Sequence, residues 1–169
     1  MKIISSREVY KCNLFRVTEE EATEPGGFEI QRSIVRHSGS AVMMAVDDKR
    51  RILLVRQYRL PARQYLWELP AGRVDEGETV LKAAKRELAE ETGLRAKKWK
   101  KVAEFYPSPG FLAEKMTLFL ATELTEGKAK PMEDERIEAR WFTRRELAEW
   151  IKAGKIRDAK TMIGFCRYR

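Results

Sequence analysis

Glu87, Glu90 and Glu91 stand at i, i+3 and i+4 within GRVDEGETVLKAAKRELAEETGL, residues 72–94. On a helix, that spacing lines the three carboxylates up on one face, where like charges repel by a few tenths of a kcal/mol per pair. The crowding is notable in a chain whose lysines and arginines outnumber its acids, 34 to 26. Three carboxylates held this close make a site for a hard divalent cation, because Mg²⁺ takes oxygen ligands and shares its coordination with substrate phosphates. The competing reading is an acidic solvated face laced by intrahelical pairs such as Arg86 with Glu90.

The acids need a helix to hold them. Residues 78–92 are rich in Ala, Leu, Glu, Lys and Arg, and Gly93 is placed to cap the C-terminus. At about 100° per residue, Leu81, Ala84 and Leu88 share an apolar stripe, with the three glutamates about a quarter turn away. The helix is therefore expected to bury one side and present its acids at the edge of that side. Around it the pattern is mostly strand. EVYKCNLFRV and GFEIQRSIVR, separated by the turn residues EPGG at 24–27, predict an N-terminal antiparallel sheet. SAVMMAV (40–46) and RILLVRQYRL (51–60), joined by DDKR, predict a hairpin or sheet pair. WELPAG (67–72) predicts a short strand, and VAEFYPSPG (102–110) and KMTLFLATEL (115–124) two more around a Pro/Gly loop. RRELAEWIKAG and DAKTMIGFCRYR predict closing helices. Strands outnumber helices, so the expected class is α+β, an α/β/α sandwich on a mixed sheet with an N-terminal antiparallel β module.

Composition narrows the rest. A length of 169 residues and 43% hydrophobic content suit about one domain plus a small module, divided here as 1–38 and 39–169. The net charge of +8 favours anionic partners, although the run Lys97, Lys98, Lys100 and Lys101 reads as a solvated face and charge alone argues no nucleic acid. Cys12 and Cys166 lack metal-ligand spacing and read as packing residues of a reducing compartment. His37 is the only histidine, which excludes sites that need two. With no signal-like apolar run and no stretch near the ~20 residues of a membrane span, the expectation is a cytoplasmic protein without membrane contact.

The spacing of the whole segment adds a resemblance. Gly72, Glu78, Arg86-Glu87-Leu88, Glu90-Glu91 and Gly93-Leu94 match the Nudix box of the Nudix hydrolases at every defined position. That resemblance implies a loop–helix–loop and Mg²⁺-dependent hydrolysis, with Mn²⁺ as an alternative ion, of a nucleoside diphosphate linked to another group. Carried over by position, Glu87, Glu90, Glu91 and the Ala71 carbonyl are expected metal ligands, and Glu78 with Arg86 the pair that orients the helix.

YPSPG (106–110), VRQYRLPARQYLWELPAG (55–72) and GKIRDAKTMIGF (154–165) resemble the ADP-ribose pyrophosphatase branch. The implied reaction is ADP-ribose plus water to AMP and ribose 5-phosphate. Alternatives are another nucleoside diphosphate sugar such as GDP-mannose, an RNA-end pyrophosphohydrolase, or a non-catalytic ADP-ribose sensor. The likeness assigns substrate contacts to Arg59, Arg32, Arg36, Pro109 and Gly110. Phe28 or Phe15 would supply a stacking ring, with core packing as the alternative for either. It also places the catalytic base on PMEDERIEARWF (131–142), where Glu133 is favoured as base and Glu135 as helper or metal ligand, with Glu90 as a further catalytic carboxylate. Leu112-Ala113 depart from the small polar residues many relatives carry after this motif, which leaves sugar-side contacts open. A homodimer that exchanges N-terminal strands is implied as well.

Overall fold

The computed structural model describes residues 1–129 and 136–168. The chain divides into two compact units, Met1–Gly39 with Phe105–Met116, and Ser40–Glu104 with Thr117–Arg169.

The second unit is organised about one strand. β4 (Ser40–Ala45) is buried at every residue, as a strand covered on both faces must be. Its odd residues Ala41, Met43 and Ala45 pack with Phe119, Ala121 and the inward face of α1 (Val80–Thr92), namely Ala83, Ala84 and Leu88. Its other face meets α3 (Ala159–Arg167): a Cβ added to Gly164 would lie 2.7 Å from Leu69 Cδ1 and 3.8 Å from both Leu118 Cδ2 and Met44 Sδ. Gly164 thus lets the backbone of α3 settle onto the sheet. With helices on opposite faces of β4, this unit is an α/β/α sandwich. Its sheets run β7–β4–β9–β8 and β10–β5–β6, where β5 is Ile52–Arg59, β6 Gln64–Glu68, β7 Ala71–Arg73, β8 Arg95–Phe105, β9 Met116–Thr125 and β10 Glu138–Phe142. Beside β10, α2 (Arg144–Lys152) is capped by Thr143, and Phe142 and Trp150 meet edge to face with centroids 5.0 Å apart.

Three expectations change. β4 and β5 share only the antiparallel bridge Val46↔Ile52, because both edges of β4 are already taken by β7 and β9. The turn between them is closed by Asp47, whose carboxylate accepts from Arg51 N and Nε, both at 2.7 Å. The predicted strand at 67–72 is two strands broken around Leu69-Pro70, since proline brings no N–H to a ladder, although its carbonyl accepts from Met43 N at 2.9 Å. Finally, β8 begins at Arg95 and carries the lysine run along its exposed positions. Among the described residues, no helix is long and apolar enough to cross a membrane.

The first unit is an antiparallel sheet in the order β1–β2–β3, from Lys2–Lys11, Arg16–Thr23 and Glu29–Arg36. β2 buries Thr18, Glu20 and Ala22 in strict alternation, whereas β1 is exposed at every residue. The buried Glu20 accepts from Arg36 Nε at 3.1 Å and Nη2 at 2.5 Å and from Thr18 Oγ1 at 2.7 Å. Arg36 above all holds its carboxyl below the usual range. The 105–116 loop joins this sheet, with Val35 N donating to Phe111 O and Ala113 N to Val35 O.

Candidate active site

α1 starts where Thr79 Oγ1 accepts from Lys82 N and ends at Gly93, whose φ of 74° is left-handed. A Cβ at Gly93 would also press on Gly127 O at 2.6 Å and Ala129 N at 2.8 Å, so glycine is required there twice over. The inward face holds Ala83, Ala84 and Leu88, and Glu91 is buried beside them. Leu81, expected on that face, is exposed and Ala83 takes its place; small residues let the helix axis approach β4. Opposite α1, β7 pairs with β4 in the register Val42↔Ala71 and Ala41↔Gly72. Gly72 has room for no side chain, because a Cβ there would overlap Glu87 Cγ, Cδ and Oε1. The Glu87 carboxylate therefore rests directly on the β7 backbone, next to Ala71.

Arg86 answers the question of crowding in part. Its Nη1 donates to Glu87 Oε1 at 2.7 Å and Glu90 Oε2 at 3.2 Å, while Nη2 reaches Glu78 Oε2 at 2.9 Å and the Arg73 carbonyl at 3.1 Å. Asp75 adds a fourth carboxylate at 3.4 Å. One guanidinium thus binds two of the three crowded acids, offsetting part of their charge, and ties the loop before α1 to the helix. Its fixed fork of donors suits it to that task better than an ammonium. Glu78, through its hydrogen bond with Arg86, is held below the usual carboxylate range, and Arg86 is raised above the ordinary arginine value by the same partner. The Arg86–Glu90 pair and the helix-orienting Glu78–Arg86 pair, both read from the sequence, are present together.

The donors fit a hard cation in kind, being carboxylate oxygens beside a backbone strand, with glycine keeping the space open over Glu87. Among the described residues, no three acidic, imidazole or thiol groups are drawn around one point. Glu87 and Glu90 lean instead on Arg86, their counter-charge in this structure. Glu133 and Glu135 lie outside the described residues.

Arg59 ends β5 as one arm of a charged network that the sequence did not reveal. Its Nε and Nη2 donate to the two oxygens of Glu68 at 2.7 and 2.9 Å. Glu68 is only 2% exposed and is also bound by Lys160 Nζ, itself 7% exposed. Lys160 in turn donates to Asp158 at 2.9 Å, and Asp158 caps α3 by accepting from Thr161 N. Thr161 Oγ1 accepts from Leu69 N at 2.8 Å, which fastens α3 to the residue after Glu68. Burial would raise the Glu68 carboxyl, but Arg59 and Lys160 overcome that and hold it below the usual range. Burial likewise works to lower Arg59, yet Glu68, with weaker fields from Glu91 and Asp158, leaves it above its ordinary value. The field of Glu91 couples Arg59 to the acidic helix. The one sequence signal was a glutamate set among apolar residues in YLWELP.

The other candidates belong to the N-terminal unit. Arg32 is exposed and donates to the Gln31 carbonyl, whereas Arg36 is engaged by Glu20. Phe28 is 59% exposed, which removes core packing as its role; Phe15 packs against Tyr10 with ring centroids 5.9 Å apart. Pro109 and Gly110 are exposed at the tip of the turn in which Leu112 N donates to Ser108 O. After Leu112-Ala113, Glu114 lies 3.8 Å from the Nδ1 of His37, a nitrogen that accepts from Gly39 N.

An "ADP-ribose pyrophosphatase" from Bacillus subtilis is 36% identical over 162 residues, 95% of this chain and 88% of the relative. A "Methanol dehydrogenase activator" from Bacillus methanolicus is 33% identical over 164 residues, 96% of this chain and 89% of that one. The crystal structure of an ADP compounds hydrolase superposes with a TM-score of 0.82 across 98% of this chain and 91% of its own, at 22% identity, and so shares the fold. The NUDIX domain model matches residues 35–163, spanning the helix, its glycine-cradled carboxylate and the Arg59 network; the chain belongs to the Nudix family.

Proposed function

We propose that this protein hydrolyses ADP-ribose to AMP and ribose 5-phosphate. The observation that carries the reading is the Glu87 carboxylate lying in the space left by Gly72, with the buried Glu91 on the same helix. The B. subtilis relative, alike over nearly the whole chain, supports the choice of substrate.

Hydrolysis breaks one P–O bond of the diphosphate bridge while a water oxygen joins the phosphorus and loses its proton. Glu87, Glu90, Glu91 and the Ala71 carbonyl would hold Mg²⁺, or Mn²⁺ in its place. When bound, such an ion supplies charge neutralisation for the diphosphate and lowers the pKa of a coordinated water. Glu133 is our choice for the base that removes the water's proton, with Glu135 as its helper or as a further ligand. Glu90 is the remaining acid near the reaction. Arg59 supplies a fixed positive charge for the phosphates, and Glu68 and Lys160 hold its guanidinium in one orientation. A preoriented donor costs no reorganisation when charge develops on the phosphoryl oxygens.

Arg32, Arg36 and Phe28 of the N-terminal module, residues 1–38, together with Pro109 and Gly110 of the 105–116 loop, are proposed as the nucleoside and sugar contacts. The full exposure of β1 is consistent with its pairing across a homodimer that exchanges N-terminal strands. We assign the protein to the cytoplasm, acting on small nucleotides and not on nucleic acid.

The test is incubation with a mixture of nucleoside diphosphate sugars and Mg²⁺, with products identified by mass spectrometry. AMP with ribose 5-phosphate as the fastest-formed pair is expected, and EDTA should abolish it. Faster cleavage of another sugar, GDP-mannose included, would overturn the substrate, and cleavage of none would overturn the reaction.

A further inference from the structure

α1 has a second face, which is basic. At about 100° per residue, Lys82, Lys85 and Ala89 lie opposite the Ala84–Leu88–Glu91 side. With Arg95, Ala96, Trp99 and Lys128 they line a groove of about 570 Å³ that reaches Arg86 and Glu90 at its edge. Among the described residues, Lys82, Lys85, Arg95 and Lys128 form no ion pair, although Lys82 feels the field of Glu78. Of their neighbours on β8, Lys98 is paired with Glu123 and Lys101 with Glu104, whereas Lys97 and Lys100 form no ion pair among the described residues. Four cations without an ion pair among the described residues thus line one concavity, in which Glu90 is the acid present. Arg86 adds little to that charge, being already shared among its own carboxylates.

The groove is not uniformly polar. Ala89, Ala96 and Trp99 give it an apolar wall; the indole N–H is committed to the Ala96 carbonyl at 3.0 Å and the half-buried ring also packs on Phe119, so the groove meets only part of its hydrocarbon surface and no donor. A cavity of this size accommodates a nucleotide, the usual range for small-ligand sites being roughly 300–1,000 Å³. We infer that this groove is a second binding site for a nucleoside polyphosphate, with its phosphates among the four cations and its base against Trp99.

The site is testable without turnover, so its failure is separate from failure of the proposed reaction. The Trp99 indole N–H resonance is followed as ATP, and separately inorganic tripolyphosphate, is added to the full chain in low salt and EDTA. Saturable movement with ATP is expected, with tripolyphosphate at least ~10-fold weaker because it lacks the stacking base. Lys85→Glu with Arg95→Glu should weaken ATP at least ~10-fold, as should the milder Lys85→Gln with Arg95→Gln, and both should leave the kcat/KM for ADP-ribose within about twofold. The inference is overturned if ATP does not move the resonance, if the variants bind like the parent, or if tripolyphosphate binds as well as ATP. A parallel loss of kcat/KM would overturn it too, by making the groove part of the catalytic site.

Discussion

Gly72→Ala isolates the placement of one carboxylate from everything else in the fold. Gly72 is outside the left-handed backbone region, so alanine meets no conformational penalty there. Its methyl would overlap Glu87 Cγ, Cδ and Oε1, whereas ordinary carbon contacts lie at about 3.5–4.0 Å. The side chain must therefore retreat by more than about 1 Å. A displacement of that size in a reacting assembly costs on the order of 10²-fold in rate, or about 2.7 kcal/mol of barrier. The stability cost is smaller. Glu87 would lose its bond to Arg86, worth roughly 1.5 kcal/mol for a charged pair at this exposure. The loss of backbone freedom in the unfolded chain returns about 0.4–1 kcal/mol. A Tm within about 4 °C of the parent is expected, with AMP release from ADP-ribose down about 100-fold and KM changed far less. Glu87→Ala with Gly72→Ala should be no less active than Glu87→Ala alone, since both changes act through one contact. Full activity of Gly72→Ala, or a double variant whose losses are the sum of the single ones, would refute the assignment of Glu87.

Glu91→Gln should lose at least ~10² in turnover with little change in Tm, and unimpaired Mg²⁺-dependent activity would remove Glu91 from the ligands. Glu133→Gln should lower kcat while ADP-ribose affinity, measured calorimetrically, stays close to the parent; weak binding with normal kcat would make it a substrate contact instead. Glu68→Gln takes a buried charge from between Arg59 and Lys160 and should cost about 3 kcal/mol, the low end for a broken buried pair because Asp158 still binds Lys160. The Glu68 carboxyl is lowered in the folded state, so its contribution is present above the ordinary glutamate value of about 4.3 and is lost as pH falls through the lower folded value. The stability gap between parent and Glu68→Gln, from urea titrations, should accordingly be full at pH 7 and shrink at the acid end. A gap independent of pH would show that the variant acts through packing.

What the sequence made legible was local. The main helix, its Gly93 cap and the glutamate spacing follow from periodicity and turn chemistry within about twenty residues, and each is found where expected. Pattern could not reveal which strands would share a sheet: SAVMMAV and RILLVRQYRL look like a hairpin, but both edges of β4 are filled by partners distant in sequence. Leu81 was misplaced for a related reason. Its position on the helical wheel is near the core edge, but close approach to β4 selects the two alanines. The Arg59–Glu68–Lys160–Asp158 network was hidden because its members are up to 101 residues apart, from Arg59 to Lys160. Arg86 was read both as a partner of Glu78 and as a partner of Glu90; only the fold shows that its forked donors serve both at once.

The shared guanidinium bears on how such a protein would fare between encounters with the divalent ion proposed for it. A helix whose acids were balanced only from outside would carry their mutual repulsion, a few tenths of a kcal/mol per pair, whenever the ion departed. Arg86 holds Glu87 and Glu90 as an internal stand-in, so, for the reaction proposed above, loss of the ion should stop the chemistry and leave the architecture intact. Divalent supply, and not protein integrity, would then decide when the enzyme works.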